Sequence, residues 1–193
     1  MANRLTKITT RTGDDGTTGL GDGTRIRKDA LRVGVLGEID ELNSAIGVIL
    51  TESLSENFHE YLTAIQNHLF DLGGEICIPG YRAITLQHVA YLDECSGALN
   101  ANLPPLKEFI LPGGCRTAAL VQVARAVARR AERSLVAMAN PKSELVSAES
   151  MQYLNRLSDF LFILARSVNR AAGVAEPTWQ RDSGLTVKTA SHG

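Results

Sequence analysis

Residues 144–172 read ELVSAESMQYLNRLSDFLFILARSVNRAA, and apolar side chains recur along them at intervals of three or four positions. These apolar positions are Met151, Leu154, Leu157, Leu161, Leu164 and Val168. Because an α-helix completes a turn about every 3.6 residues, the spacing puts all of them on one face. The stretch therefore predicts a long amphipathic helix, which Gly173 and Pro177 bring to an end.

Four other stretches show the same helical periodicity. The first runs from Asp29 to Thr51. The second opens with the capping-box pattern Ser53-Leu54-Ser55-Glu56 and ends near Gly73 and Gly74. The third runs from Thr85 to about Asn100, and the fourth from Thr117 to Ala139. No stretch alternates clearly enough for a strand, and Lys107 to Gly114 fits either a strand fragment or a pocket-lining loop. Five helices joined by short connections predict an all-α bundle with antiparallel neighbours.

The length and charge of the chain narrow its class. A chain of 193 residues suits one domain with a substantial core. A formal net charge of −1 gives no overall field that favours nucleic acid, so any anion must be attracted by local clusters. The N-terminal residues lack the apolar core of a signal peptide, and no apolar run reaches the ~18 residues of a membrane span. We therefore expect a cytoplasmic protein that binds neither nucleic acid nor membrane.

The cysteines and histidines follow no disulfide or metal-binding pattern. Cys77, Cys95 and Cys115 are odd in number and widely spaced, so we expect three reduced thiols. The four histidines include no H-E-x-x-H pair, so we expect no transition-metal site made by the protein alone.

The segment from Thr10 to Lys28, TRTGDDGTTGLGDGTRIRK, has a composition unlike that of the helices. It contains five of the 17 glycines, five threonines and four basic residues. Glycines let backbone N–H groups approach a ligand closely, and hydroxyl and cationic side chains add donors suited to phosphate. The segment therefore predicts a polyphosphate-binding loop, with a mobile Gly/Thr linker as the alternative. Its three aspartates disfavour phosphate unless one of them helps to hold Mg²⁺.

Known nucleotide motifs do not fit this segment. Gly16 and Gly21 have the P-loop spacing, but Asp22 and Gly23 stand where Lys and Ser or Thr are needed. Gly19 and Gly21 lack a correctly spaced third glycine and a preceding strand, which disfavours a dinucleotide-binding fold. The chain also has no G-x-S-x-G motif and no Cys/His pairing signal for nucleophilic catalysis. A reaction whose substrate is itself the nucleophile suits this set of residues.

A basic stripe runs along the fourth predicted helix. Arg125, Arg129, Glu132 and Arg133 recur at helical spacing, with Arg130 beside them. Arginine fills every basic position, and planar guanidinium groups suit phosphate oxygens and buried ion pairs. The alternative is a solvated face in which Arg129 and Glu132 form a weak ion pair of ~0.3 kcal/mol.

Polar positions on two other helices complete the candidate site. Asp40 borders the apolar stripe of its helix, so we expect it to be partly buried and to need a cationic partner. The last helix carries a polar line that in general indicates a solvated face. Asn155 is the exception, because an amide can donate to a phosphate or ribose oxygen. The line consists of Asn155, Asp159, Phe162, Arg166 and Asn169.

Five blocks of the sequence together resemble the PduO-type ATP:cob(I)alamin adenosyltransferases. They are TRTGDDGTTGLGDGTRIRK (10–28), GEIDELNSAIG (37–47), FILPGG (109–114), ARAVARRAER (124–133) and YLNRLSDFLFILAR (153–166). All five occur in order between Thr10 and about Arg170. Residues 80–105 and the tail from Val174 carry little of the resemblance.

The resemblance implies a five-helix bundle, ferritin-like or adenosyltransferase-like, that forms a homotrimer with active sites between adjacent subunits. It divides the chain into an N-terminal ATP-binding loop (1–28), a helical domain (29–173) and a polar C-terminal tail (174–193). The implied substrates are cobalamin and ATP, the latter with Mg²⁺. A reductase and an adenosylcobalamin-dependent client enzyme are the further partners that it suggests.

The resemblance also implies roles for individual residues. Asp40 and Arg125 match an ion pair across the subunit boundary, and Phe109 matches a hydrophobic side chain beneath the corrin ring. The catalytic set is Arg129, Lys28, Arg125 and Asp40, and no metal site is made by the protein alone. The ATP-binding positions are Thr10, Arg11, Thr12, Gly13, Thr18, Gly19, Lys28, Arg129, Arg130, Ala131, Glu132, Arg133 and Asn155.

In the implied reaction cob(I)alamin attacks C5′ of ATP and triphosphate leaves, so positioning and electrostatics are what the protein must supply. Two alternatives use the same loop. One is a small-molecule kinase or ATPase, and the other is a non-catalytic, ATP-binding helical trimer.

Overall fold

The computed structural model of the 193-residue chain describes residues 8–139 and 145–181. In these ranges a two-stranded antiparallel hairpin precedes five helices, so the prediction of a five-helix, all-α bundle is confirmed. The elements are β1 (Thr17–Gly19), β2 (Arg25–Arg27), α1 (Leu31–Leu50), α2 (Glu56–Cys77), α3 (Leu86–Asn100), α4 (Arg116–Met138) and α5 (Ala148–Ala171).

The core lies between the helices, and α5 is the element most enclosed by it. α4 packs against α1 and α5, α5 also packs against α3, and α1 packs against α2. Burying a leucine or phenylalanine side chain contributes about 1.5–3 kcal/mol, so α5 is a large part of the driving force for folding. Its fully buried side chains include Tyr153, Leu154, Leu157, Phe160, Leu161 and Leu164.

Both ends of α2 differ from the prediction. The helix begins at Glu56 with Ser55 as its N-cap, and the Ser55 side chain makes no capping bond, so the predicted capping box is wrong. The helix also continues past Gly73 and Gly74 to Cys77. Neither glycine adopts the positive φ that ends many helices. The extra turn is kept because side chains that follow these glycines are fully buried.

The start of α5 is also later than predicted. It begins at Ala148 rather than Glu144, because the Ser147 hydroxyl accepts a hydrogen bond from the Ser150 backbone N–H (3.0 Å) and so caps the helix there. The predicted helix stop at residues 140–141 lies outside the described residues.

A fully buried carboxylate, that of Glu75, connects the end of α2 to two other parts of the chain. It accepts hydrogen bonds from the backbone N–H groups of Ala83 (3.0 Å) and Ile84 (3.1 Å). The hydroxyls of Ser147 and Ser150 also donate to it, both at 2.7 Å. Burial raises the pKa of Glu75, but the four hydrogen bonds outweigh burial and hold the pKa below its usual value. The ionised side chain thus fixes the connection after α2 against the start of α5.

Three further features of the structure concern the cysteines, membrane-spanning helices and metal-ligating side chains. Cys77, Cys95 and Cys115 are free thiols, as predicted. Over residues 8–139 and 145–181, no helix has the length and hydropathy that crossing a membrane requires. In the same ranges, metal-ligating side chains nowhere gather in a group of three or more.

Candidate active site

The glycine-rich segment contains a hairpin, and one Asp-Gly-Thr tripeptide forms the turn that leads into β1 while another lies in the turn between β1 and β2. Asp15 accepts hydrogen bonds from the Thr17 N–H (2.9 Å) and hydroxyl (2.7 Å). Asp22 does the same with the Thr24 N–H (2.9 Å) and hydroxyl (2.6 Å). The intervening glycines have φ values of 80° and 83°, which glycine adopts without strain. The repeated tripeptide is thus the signal for these turns that sequence analysis missed, and two of the three aspartates have a structural explanation.

A cleft of about 340 Å³ lies beside the hairpin. Lys28 fixes one side of it, because its backbone N–H donates to Gly16 O (2.9 Å). Its ammonium lies against Gly13, where an added Cβ would be 3.0 Å from Nζ. Arg11 has a φ of 62°, a strained conformation for this residue type that is frequent at ligand sites. All seven predicted loop residues line the cleft: Thr10, Arg11, Thr12, Gly13, Thr18, Gly19 and Lys28.

Arg25 supports the hairpin from within. Its guanidinium donates to the Thr17 hydroxyl (2.5 and 3.1 Å) and to Thr12 O (2.5 Å). It also lies 3.7 Å from the Asp15 carboxylate. The Arg25 side chain therefore maintains the shape of the cleft, in addition to the backbone contact of Lys28.

Arg125 is a half-buried member of the arginine stripe of α4. Its Nε donates to Gln122 Oε1 (2.7 Å), and its guanidinium carbon stands 6.0 Å from the centroid of the Phe162 ring. Burial lowers the pKa of Arg125, and the nearby charge of Arg129 lowers it further. This guanidinium is therefore held by a neutral amide and an aromatic ring, where an additional negative charge would be favourable.

The other members of the stripe divide into two groups. Arg129 and Arg133 are exposed, and Arg133 Nη1 donates to Arg129 O (2.9 Å). Arg130 instead pairs with Glu41 and, at 4.0 Å, with Glu38, both on α1. Of the three predicted ATP-binding arginines on α4, two are thus open to a ligand and one is engaged in joining α4 to α1.

The remaining predicted ATP-binding positions of the bundle lie at the contact of α4 and α5. Asn155 Nδ2 donates to Glu132 Oε1 (3.0 Å), so this carboxylate is held by an amide and not by the alternative partner, Arg129. Ala131 is fully buried, so its side chain belongs to the core. Asn155 is exposed, and its Oδ1 accepts a hydrogen bond from Arg156 Nη1 (3.1 Å). Its second amide hydrogen can be offered to a ligand.

Asp40 is exposed, so the predicted partial burial is wrong for the single chain. α1 turns Ile39 and Leu42 into the core and leaves Asp40 on a groove between α1 and α2 of about 350 Å³. Phe70 borders the same groove and is 77% exposed. No ion pair within the described part of the chain involves Asp40 or Arg125.

The segment around Phe109 forms an apolar hollow of about 330 Å³, and Phe162 of α5 also lines it. Phe109 is 80% exposed, yet its backbone is held firmly. Its carbonyl accepts from the Trp179 N–H (2.8 Å), and the Leu111 N–H donates to Pro177 O (2.8 Å). The segment is therefore both of the predicted alternatives, a strand fragment paired with residues 177–179 and the lining of a pocket. The pairing also gives a role to the start of the predicted tail, whereas residues 182–193 lie outside the described ranges.

Two residues of α5 hold the ends of this segment. Arg166 Nη2 donates to Pro104 O (2.9 Å) and its Nε to Glu176 Oε1 (2.9 Å). Asn169 Nδ2 donates to Gly113 O (3.0 Å), and Asn169 Oδ1 accepts from the Cys115 N–H (2.9 Å). Their exposed fractions are only 5% and 3%, so the prediction of a solvated polar face is wrong at these two positions. The reason is that segments distant in sequence cover this part of α5.

The described residues thus gather in two separate parts of the molecule, which are the two halves of the candidate site. Phe162 links the arginine stripe to the apolar hollow, because it contacts Arg125 and lines the hollow. The hairpin cleft is the other half, and no hydrogen bond or ion pair within residues 8–139 and 145–181 joins it to α4.

Comparison with known proteins identifies the family. A family model described as cobalamin adenosyltransferase matches residues 8–168. A cobalamin adenosyltransferase of Cupriavidus metallidurans is 54% identical over 183 residues, which cover 94% of this chain and 98% of that protein. A corrinoid adenosyltransferase of Bacillus subtilis is 45% identical, with 92% and 94% of the two chains covered.

The fold is likewise similar to that of a solved structure. This is a phenylalanine-to-histidine variant of a PduO-type ATP:corrinoid adenosyltransferase from Lactobacillus reuteri, complexed with cobalamin and ATP. The TM-score is 0.84 at 31% identity, and the match covers 91% of this chain and 97% of that chain. By sequence and by fold, the chain belongs to the cobalamin adenosyltransferase family.

Proposed function

We propose that this protein transfers the 5′-deoxyadenosyl group of ATP to cob(I)alamin, forming adenosylcobalamin and releasing inorganic triphosphate. The observation that carries the proposal is the position of Phe162, beside the Arg125 guanidinium and in the lining of the hollow around Phe109. Guanidinium groups suited to a triphosphate thus adjoin an apolar surface suited to a corrin ring. The relatives' names and the ligands of the Lactobacillus reuteri structure support the same reaction.

The chemistry requires no protein nucleophile or base. Two electrons of the cob(I)alamin cobalt form the bond to C5′, the C5′–O bond breaks, and its electron pair leaves with the triphosphate. The protein must align these atoms and stabilise the charge that develops on the leaving group. We assign that stabilisation to Lys28, Arg129 and Arg133, which are all exposed.

Magnesium fits this site as a companion of the ATP phosphates, whose charge it would partly neutralise. Asp15 and Asp22 are engaged with threonines of their own turns. Asp14 lines the cleft and is the aspartate that could approach a phosphate-bound cation.

Phe109 has the properties of a support for the corrin ring. An aromatic side chain that is 80% exposed but fixed through its backbone can lie against a flat apolar ligand. By occupying the lower face of the ring it would displace the lower axial ligand of cob(II)alamin, which makes reduction to cob(I)alamin easier. The apolar hollow would also keep water from the reduced cobalt.

The complete site is formed between subunits of a homotrimer in this proposal. The hairpin cleft and the arginine stripe are not joined in the single chain, and Asp40 and Arg125 lack partners of opposite charge among the described residues. An ion pair between Asp40 of one subunit and Arg125 of the next would bring the two halves together.

The Asp40 and Arg125 pairing can be tested by a double-mutant cycle. We expect Asp40→Ala and Arg125→Ala each to lower kcat/KM and the trimer fraction, and the double variant to lose much less than the sum. Size-exclusion chromatography with light scattering and steady-state kinetics supply the two readouts. Additive effects of the two substitutions would argue against the pair.

Two protein partners follow from the chemistry of the substrate and the product. Cob(I)alamin must be produced by reduction, so a reductase is a partner of the reaction, and a client enzyme that uses adenosylcobalamin would receive the product. We place the reaction in the cytoplasm on the basis of the family alone.

Product analysis tests the proposed function. The protein is incubated with MgATP and reduced cobalamin, while the absorbance of adenosylcobalamin is followed and phosphates are separated by ion exchange. We expect equal amounts of adenosylcobalamin and triphosphate. Release of ADP or phosphate would instead identify a kinase or ATPase, and nucleotide binding without any product would identify a non-catalytic protein.

A further inference from the structure

The turn of the hairpin formed by residues 20–24 is docked on the C-terminal end of α2. Gly21 N–H donates both to Cys77 O (3.2 Å) and to Cys77 Sγ (3.1 Å). Leu20 beside it is 8% exposed, and it is the one side chain between residues 8 and 30 that is buried. The hairpin therefore meets the bundle at this turn, whereas the cleft residues remain at the surface.

A second contact reaches the same helix end from α1. Arg32 Nε donates to Ile76 O (2.7 Å). Ile76 and Cys77 are the last two residues of α2, where carbonyl groups have no partner within the helix. Arg32 also brings a positive charge to the negative end of the helix dipole. Two otherwise unpaired carbonyls are thus satisfied, one by the hairpin and one by Arg32.

Position 21 has room only for glycine. A Cβ added there would lie 2.5 Å from Ile78 Cγ1 and 3.2 Å from Ile78 Cδ1. At Gly19 an added Cβ would meet nothing within 4 Å. The glycine at position 21 is therefore required by docking onto α2, which explains why it fits no phosphate-binding motif.

We propose that this contact, which we call the α2 anchor and define as Gly21, Arg32, Ile76 and Cys77, positions the ATP-binding cleft. Gly21 and Arg32 are then positioning residues for adenosyl transfer. Residues 17–19 of the cleft directly precede the anchored turn and pair with residues 25–27 in one two-stranded unit, so a displaced turn moves the cleft with it. The inference rests on the proposed function, because it takes the cleft to be where ATP binds.

The sharpest test combines a clash with its relief. Gly21→Ala introduces the Cβ that meets Ile78, and Ile78→Ala removes the two closest atoms, which leaves only the ordinary contact with Cys77 O at 3.5 Å. Because a displacement of about 1 Å can cost up to about a hundredfold in rate, we expect Gly21→Ala to raise KM for ATP at least about tenfold. KM for cobalamin should stay within about twofold of wild type, since the Phe109 hollow is held by other residues. Ile78→Ala alone should resemble wild type, and the double variant should recover most of the ATP affinity.

Arg32→Met tests the anchor from the other side, because it keeps the length of the side chain and removes its donors. We expect the same rise in KM for ATP without a matching change for cobalamin. Arg32→Lys, which retains charge and one donor group, should restore part of the loss. Gly97→Ala on α3 is the control for adding a methyl group, since nothing lies within 4 Å of that position.

The outcomes separate the anchor from the proposed function. If wild type forms no adenosylcobalamin, the proposed function fails. If wild type is active and Gly21→Ala leaves KM for ATP within twofold, or if Ile78→Ala fails to rescue it, the anchor proposal alone is overturned. It is also overturned if both KM values and the melting temperature change together, because that result indicates general loss of structure.

Discussion

The N-terminal hairpin and the segment around Phe109 are both irregular parts of the chain, and they are held in place in opposite ways. The turn before β1 and the turn between β1 and β2 are each closed by an aspartate, Asp15 or Asp22, that bonds to a threonine two positions later. The Phe109 segment is closed by Arg166 and Asn169, which bond to groups 62 and 54 positions away. One region is built from neighbours in the sequence and the other from the tertiary fold.

This difference suggests that the two proposed substrate-binding regions respond differently to substitution. The proposed ATP cleft takes its shape from local turns and one anchor on α2, so it can be altered without disturbing the core. The proposed corrinoid hollow depends on buried side chains of α5 and on residues 176–179. Substitutions in the two regions should therefore separate the two KM values, and those in the second region should also reduce stability.

The largest effect is expected at Arg166, whose loss would leave the half-buried Glu176 carboxylate and Pro104 O without this donor. We expect Arg166→Met to lower the free energy of unfolding by about 3 kcal/mol, because one partner of a buried pair is removed. Urea unfolding gives the stability, and steady-state kinetics should show a raised KM for cobalamin. Arg156→Ala is the matched control, since its pair with Asp93 is exposed and such pairs contribute at most about 1 kcal/mol. Equal losses for the two variants would remove the distinction between the regions.

Arg129→Ala tests whether the arginine stripe stabilises the negative charge that develops on the leaving triphosphate. Losing one donor to the developing triphosphate charge should cost at least about 2 kcal/mol in kcat/KM, which is about thirtyfold. Stability should change little, because Arg129 is exposed. Arg116→Ala, an exposed arginine at the start of the same helix, serves as the control for charge. A variant of Arg129 within threefold of wild type would mean that the stripe is only a solvated face.

Asp15→Ala tests the local construction of the hairpin. The substitution removes both acceptor contacts to Thr17, so the turn should become less ordered and KM for ATP should rise about fivefold. KM for cobalamin and the melting temperature should remain near those of wild type. A fall in melting temperature as large as that of Arg166→Met would show that the hairpin is part of the cooperative core.

The smallest effect concerns pH and Glu75, which fixes the end of α2 on which the hairpin is anchored. Its pKa is lowered in the folded protein, so its contribution is present above the pKa of the unfolded chain, near 4.5. That contribution is lost as the pH falls through the lower, folded-state pKa. Melting temperatures measured between neutral and acidic pH should therefore fall more steeply for wild type than for Glu75→Gln. Parallel profiles would contradict an ionised Glu75 in the folded state.

The helices could be predicted from the sequence because their apolar periodicity is local. The buried face from Leu154 to Leu164 could be predicted from the spacing of its apolar residues, without any information on the neighbouring helices. The candidate site was predicted from the resemblance of five blocks, and the loop residues do gather at one cleft. Their roles toward ATP remain predictions.

The hairpin and the burial of two polar residues of α5 were not predicted, each for a different physical reason. The hairpin strands are only three residues long, too short for a visible alternation, although the two Asp-Gly-Thr tripeptides could have indicated its turns. Arg166 and Asn169 were expected in solvent because a polar line on a helix usually is. They are buried because chain segments distant in sequence, which include Pro104 and Gly113, lie over α5, and helical periodicity carries no information about such coverage.

The most direct measurement follows the C5′ carbon itself. Wild-type protein is mixed with cob(I)alamin and MgATP labelled with ¹³C at C5′, and the products are examined by NMR and ion-exchange chromatography. We expect the label to appear in a carbon bonded to cobalt, together with one unlabelled triphosphate for each adenosylcobalamin formed. Label that remains in ADP or ATP, with no cobalt-bound carbon, would contradict adenosyl transfer by this protein.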